Sequence, residues 1–378
     1  MGVATAPSSD VLSARLLRAA GAAKAAGIDA LLLTPSADLR YLTGYAALPL
    51  ERLTCLIVPS DGEPILVVPL LERLAAEASG AERVVKIVTH GETDDAFALA
   101  VGLVRDAIGL PERVGVADRM WAEQVLRFRS LLPAAEQVTA GRVLRALRLV
   151  KTTDEVDGLR RAGAAIDRVH ARMGEWLRPG RTEAEVGRDI AQAITDEGHE
   201  HVNFVIVASG PNGASPHHHV SDRVIESGDA VVVDIGGTMS DGYCSDCTRT
   251  YVAGGAPDAE FARYYEVLLD AQKRSCESVR PGVTAESVDA AARDVIAAAG
   301  YGDFFVHRTG HGIGLEEHEE PYIVTGNDTV LEPGMCFSIE PGIYLSGRHG
   351  ARIEDIVAVT KDGVERLDTV DRDLVVLG

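Results

Sequence analysis

The chain has 378 residues, enough for two domains with a sizeable core, and its 46% apolar content is that of a globular protein. Its 37 basic residues against 57 acidic ones leave a net charge of −20. That excludes a basic face for nucleic acid, and no run of 18 apolar residues exists to span a membrane.

Cys55, Cys244, Cys247, Cys276 and Cys336 make an odd count. With no secretory pattern at the N-terminus, they read as reduced thiols of a cytoplasmic protein. Residues 11–27 predict an amphipathic helix, since Leu12, Leu16, Leu17 and Ala20 recur at helical spacing before Gly27. Strands follow at 28–33, 53–59, 64–68 and 114–117, with helices at 70–79, 93–108 and 122–131. This alternation predicts a mixed α/β domain over residues 1–147.

A second domain, 148–378, opens on Thr152-Thr-Asp-Glu155, a capping box that starts a helix predicted to reach about residue 176. An internal repeat follows. Arg178-Pro-Gly-Arg-Thr182 returns as Arg280-Pro-Gly-Val-Thr284, and each precedes a helical stretch carrying Val186 or Val288 at the same offset. Gly228-Asp-Ala-Val-Val-Val-Asp234 likewise parallels Gly334-Met-Cys-Phe-Ser-Ile-Glu340. Matched helices and strands in one order predict two similar α/β halves about a pseudo-twofold axis.

Each half ends in a predicted hairpin. Asp234 and Asp246 are symmetric about Ser240, and Glu340 and Glu354 about Gly347. Turns centred there set each carboxylate pair directly opposite across its ladder, with Cβ atoms roughly 4.5–5.5 Å apart. Four gathered carboxylates repel, and two divalent cations balance them. The run from His307 to Pro321 holds His307, His311 and His318 among glycines, a composition poor for helix or strand and open to close backbone approach. His311 adds a nitrogen ligand. Oxygen-rich ligation with one imidazole suits manganese, cobalt, iron or zinc, and two such metals sharing a bridging water lower its pKa.

Two other patterns carry less. Cys244-Ser-Asp-Cys247 has no second pair or nearby histidine to complete a zinc site, so its thiols read as strand residues flanking Asp246. Gly310, Gly312 and Gly314 have the wrong spacing for a dinucleotide fingerprint.

Residues 148–378 resemble the pita-bread metallopeptidases, which include Xaa-Pro dipeptidases (prolidases), aminopeptidase P and methionine aminopeptidase. The first domain is similar to the creatinase-type N-terminal domain of prolidases, chiefly through Arg40-Tyr-Leu-Thr-Gly44. The resemblance puts the family's five metal ligands on Asp234, Asp246, His311, Glu340 and Glu354. It implies Glu340 as the proton carrier, His217 and His318 as catalytic and substrate-binding groups, and His307 and Arg352 beside the substrate. It further implies hydrolysis of small peptides with proline second, by a hydroxide bridging two divalent metals with manganese first among them, and a homodimer. Aminopeptidase P activity on longer Xaa-Pro-Yaa peptides is the alternative, and a non-catalytic peptide-binding protein on the same fold is another in a different class. One position departs: where some prolidases carry an arginine that holds the substrate's C-terminal carboxylate, this chain has Tyr322.

Overall fold

A computed structural model describes residues 7–378. The chain divides into two compact units, one ending at Arg148 and the other spanning Leu149–Gly378. The first is built on a six-stranded sheet of β1 (Ala30–Leu33), β2 (Cys55–Pro59), β3 (Ile65–Pro69), β4 (Lys86–His90), β5 (Arg113–Val116) and β6 (Glu136–Thr139), in the order β4-β3-β2-β1-β5-β6. β1, β2 and β3 are buried at every position. Their unbroken apolar runs suit strands covered on both faces. The Arg40-Tyr-Leu-Thr-Gly44 stretch ends a short helix, Ala37–Thr43, in which Ser36 caps the N-terminus and Gly44 the C-terminus.

The second unit opens with the helix Thr153–Ala171, and Thr152 and Glu155 form the reciprocal capping box. This helix stops five residues short of the expected end, and a 3₁₀ turn over Met173–Glu175 carries the chain on. Two sheets follow. One has the order β17-β9-β8-β7, from β7 (His199–Ser209), β8 (Asp229–Met239), β9 (Cys244–Ala253) and β17 (Val375–Leu377). The other has the order β11-β10-β12-β15-β16, from β10 (Gly310–Gly312), β11 (Glu319–Ile323), β12 (Cys336–Ile339), β15 (Asp355–Val359) and β16 (Val364–Arg366). β13 (Gly342–Leu345) and β14 (His349–Arg352) form a separate ribbon.

The repeat is visible in hydrogen bonds. Gly180 N–H donates to the Ile225 carbonyl at 2.9 Å, and Gly282 N–H donates to the Leu331 carbonyl at 2.9 Å. Thr182 and Thr284 cap helices Glu183–Asp196 and Ala285–Ala298, and single bridges tie them to Val224 and Val330. Val186 and Val288 are both fully buried, each in the core of its own half.

Register decides how the acids meet. The second hairpin has the expected centre: Ile339 faces Asp355 and Leu345 faces His349, so Glu340 and Glu354 continue the same register. The first does not. Asp234 faces Thr248 and Asp246 faces Gly236, which makes the two aspartates diagonal neighbours instead of a direct pair. The cause is the turn, where Gly242 takes φ 96° and donates its N–H to the Met239 carbonyl at 2.8 Å. A left-handed residue at the end of a three-residue loop shifts the centre by one position.

Candidate metal centre

β8 supplies Asp234, β9 supplies Asp246, β10 supplies His311, and the junctions flanking β12 and β15 supply Glu340 and Glu354. Ligand atoms of Asp246, His311 and Glu354 all lie within 4.8 Å of one another, and all three residues are buried. His311 Nε2 lies 3.2 Å from Glu340 Oε1 and 3.6 Å from Asp246 Oδ2. Its Nδ1–H donates to the Gly312 carbonyl at 3.2 Å, which turns Nε2 towards the carboxylates as the atom available to a metal.

The glycine run departs from expectation. Gly310–Gly312 forms β10, a central strand between β11 and β12. A Cβ on Gly310 would collide with the Ser338 carbonyl, and one on Gly312 with the Glu320 carbonyl. These glycines let neighbouring backbones approach each other, and the histidine sits on a packed sheet.

The electrostatics call for cations. Burial, then the charges of Glu354, Asp234 and Glu340, push the Asp246 carboxyl well above its usual range. Burial and the charges of Glu340 and Asp234 do the same to Glu354. Burial opposes the charge on Glu340 too, but the hydrogen bond and charge of His311 outweigh it and hold that carboxyl low. Asp234 Oδ1 and Glu354 Oε1 are buried without a hydrogen-bond partner. Buried carboxylate oxygens left unpaired beside an imidazole nitrogen are the donor set that hard or borderline divalent ions take, so these residues fit metal.

Arg352 is buried, and its donors reach Asp234 Oδ2, Tyr344 Oη at 2.7 Å, Thr248 Oγ1 at 3.2 Å and the Pro216 carbonyl at 3.3 Å. It therefore touches both the carboxylate cluster and the residue before His217. Tyr344 passes the chain on, with its hydroxyl 2.9 Å from His307 Nε2, while His307 Nδ1 lies 2.7 Å from the Arg308 carbonyl. His318 stands edge-on to His311 with ring centroids 4.0 Å apart. Partial burial, then the charges of His311 and Arg308, push its imidazole down to about 4. His217 and His219 are exposed, and His218 turns inward, with Nε2 2.8 Å from Glu183 Oε2.

Sequence reasoning missed four supports. Thr248 Oγ1 donates to Glu354 Oε2 at 2.7 Å, and Ser338 Oγ lies 3.1 Å from Glu340 Oε1 and accepts from His311 N–H at 3.0 Å. Tyr344 joins Arg352 to His307, and buried Glu183 accepts from Ser209, Asn212, His218 and Ser221. Thr248 alone carried a signal, being two residues beyond Asp246 on the same face of β9. Cys244 and Cys247 lie on β9, both buried and neither in a disulfide.

Residues 157–361 match the model of metallopeptidase family M24, and 15–150 match the creatinase/prolidase N-terminal domain. The chain belongs to metallopeptidase family M24. It is 53% identical over 369 residues to a probable dipeptidase PepE of Mycobacterium tuberculosis, covering 97% of each chain. It is 38% identical over 343 residues to an Xaa-Pro dipeptidase of Lactobacillus helveticus, covering 90% of this chain and 92% of that one. The crystal structure of dipeptidase PepE from Mycobacterium ulcerans superposes with a TM-score of 0.91 at 49% identity, covering 99% of this chain and 100% of that one. Family membership implies metal ions. Among the described residues no helix is long and apolar enough to cross a membrane.

Proposed function

We propose that the protein is an Xaa-Pro dipeptidase. The observation that carries this reading is the convergence of Asp246, His311 and Glu354, with unpaired buried oxygens on Asp234 and Glu354, in a chain similar to an Xaa-Pro dipeptidase. Asp234, Asp246, His311, Glu340 and Glu354 would hold two divalent ions, manganese first and cobalt, zinc or iron as alternatives. Bound there, such ions supply Lewis acidity, a more acidic water and positive charge against four carboxylates.

The remaining chemistry belongs to the chain. Glu340 accepts the proton of the attacking water on its carboxylate and returns it to the leaving prolyl nitrogen. His318, neutral near pH 7 because its imidazole is pushed down to about 4, presents an N–H to the carbonyl oxygen as negative charge grows there. His217, on the loop that Arg352 and Glu183 tie down, orients the substrate from the facing side. The face of the His307 ring lines the proline pocket, since both its nitrogens are engaged. Proline at the second position makes a tertiary amide without N–H, so the site must hold the substrate by groups other than that donor.

The test is hydrolysis of Ala-Pro by manganese-loaded protein, with loss of activity on chelation. Fully loaded protein that cleaves no Xaa-Pro peptide overturns the proposal. Faster turnover of Ala-Pro-Gly than of Ala-Pro assigns the aminopeptidase P reaction instead.

A further inference from the structure

Three other arginines of the second unit are committed to acids. Arg352 holds Asp234, Arg348 holds Glu260 at 2.5 Å, and Arg293 holds Asp289 at 2.8 Å. Arg308 differs. Among the described residues no carboxylate lies within ion-pair distance of its half-buried guanidinium, in a chain with a net charge of −20. Its central carbon instead lies 4.4 Å from the centre of the Tyr322 ring. Tyr322 is directly opposite His311 in the β10–β11 ladder. Opposed residues project from the same face, so the stacked pair stands on the side where His311 meets the carboxylate cluster.

We infer that Arg308, stacked on Tyr322, binds the C-terminal carboxylate of the substrate and makes the site selective for dipeptides; this rests on the Xaa-Pro reading above. In an Xaa-Pro dipeptide the free carboxylate belongs to the residue just past the scissile bond. In a longer peptide an uncharged amide takes its place. A guanidinium matches a carboxylate through two parallel N–H donors, which an ammonium cannot do. The Tyr322 ring covers one face of the guanidinium and restricts its rotation while leaving the N–H edge free. The side chain is thus oriented before substrate arrives, which lowers the entropic cost of binding. Tyr322 then acts as the support for the charge at this position, with Arg308 as the anchor.

The test compares kcat/KM for Ala-Pro, Ala-Pro-amide and Ala-Pro-Gly in manganese-loaded protein. Wild type should favour the free acid over the amide. Arg308→Gln should raise KM for Ala-Pro by about 10–100-fold, the worth of a charge-assisted pair, with a much smaller change in kcat. The acid-to-amide ratio should fall towards one. Arg308→Lys and Tyr322→Ala should fall between, with metal content unchanged, because each keeps the charge and loses the fork or its support. An unchanged acid-to-amide ratio in Arg308→Gln, or a wild type that treats acid and amide alike, overturns the assignment while leaving Xaa-Pro hydrolysis intact. If Ala-Pro, its amide and Ala-Pro-Gly all resist cleavage, the Xaa-Pro reading falls and this assignment falls with it.

Discussion

His218 Nε2 lies 2.8 Å from Glu183 Oε2, and this contact holds the loop that presents His217. Glu183 is fully buried at the first turn of the Glu183–Asp196 helix. It also accepts from the Ser209 N–H at 2.7 Å, Asn212 Nδ2 at 3.0 Å and Ser221 Oγ at 2.6 Å. One carboxylate thus gathers both ends of the 209–221 loop. Glu183→Gln replaces an oxygen acceptor by an amide NH2 group that faces donors. Expected is a fall in kcat with metal content and KM little changed, read by steady-state kinetics beside metal analysis. His218→Ala should lower stability by about 1.5–3 kcal/mol, the range for a lost hydrogen bond to a charged group. Full kcat in both variants would show that the loop is held without Glu183.

The same carboxylate sets an acid limit. Burial opposes its charge, but hydrogen bonds from Ser221, Ser209 and His218 outweigh it and keep the group below its usual range. A depressed folded-state pKa contributes stability that is complete above the unfolded value, near 4.3, and is lost as pH falls through the folded one. Thermal melts from pH 7 to pH 3 should therefore show a steeper acid decline in wild type than in Glu183→Gln. Parallel curves would contradict the assignment.

The clustered acids predict opposite effects on two properties. Asp246 and Glu354 are pushed well above the ordinary carboxylate range by burial and mutual repulsion. Groups of that kind favour the folded state while protonated, and the advantage is lost as pH rises through their folded pKa. In chelated protein at pH 7, Asp246→Asn should raise the melting temperature by removing a buried carboxyl whose ionisation the fold opposes. In the presence of manganese the same variant should bind less metal and lose turnover. Full activity with normal metal content would remove Asp246 from the ligand set. Glu354→Gln should follow the same pattern.

His318 and His217 should matter for rate more than for metal. Removing one donor to a developing oxyanion typically lowers kcat by about 10²–10³. His318→Ala is expected to keep its metal and lose activity on that scale. Metal loss in step with activity would make His318 a ligand, a role its edge-on contact with His311 leaves geometrically open.

Much of this was legible in one dimension because the repeat is local in sequence. Turn glycines, capping threonines and the unbroken apolar run of Val231 to Val233 before Asp234 follow from backbone geometry and burial of a strand on both faces. Those signals placed the halves, the hairpins and the four acids on their ends. The register of the first hairpin was not legible. It depends on which residue of a short loop turns left-handed, and Gly242 competes with other small residues for that position.

The sequence by itself determined the residue types of the site and the strands that carry them, since apolar runs bounded by turn residues are short-range signals. Only the tertiary structure decided which partners complete the chemistry. Glu183 lies 35 positions from His218, Thr248 lies 106 from Glu354, and Arg352 lies 118 from Asp234. The first closes a loop within one half and the other two form where the two halves meet, and no spacing along the chain encodes any of them. Arg308 is the clearest instance. In the sequence it is one of several arginines near the histidines; in the fold its central carbon lies 4.4 Å from the centre of the Tyr322 ring.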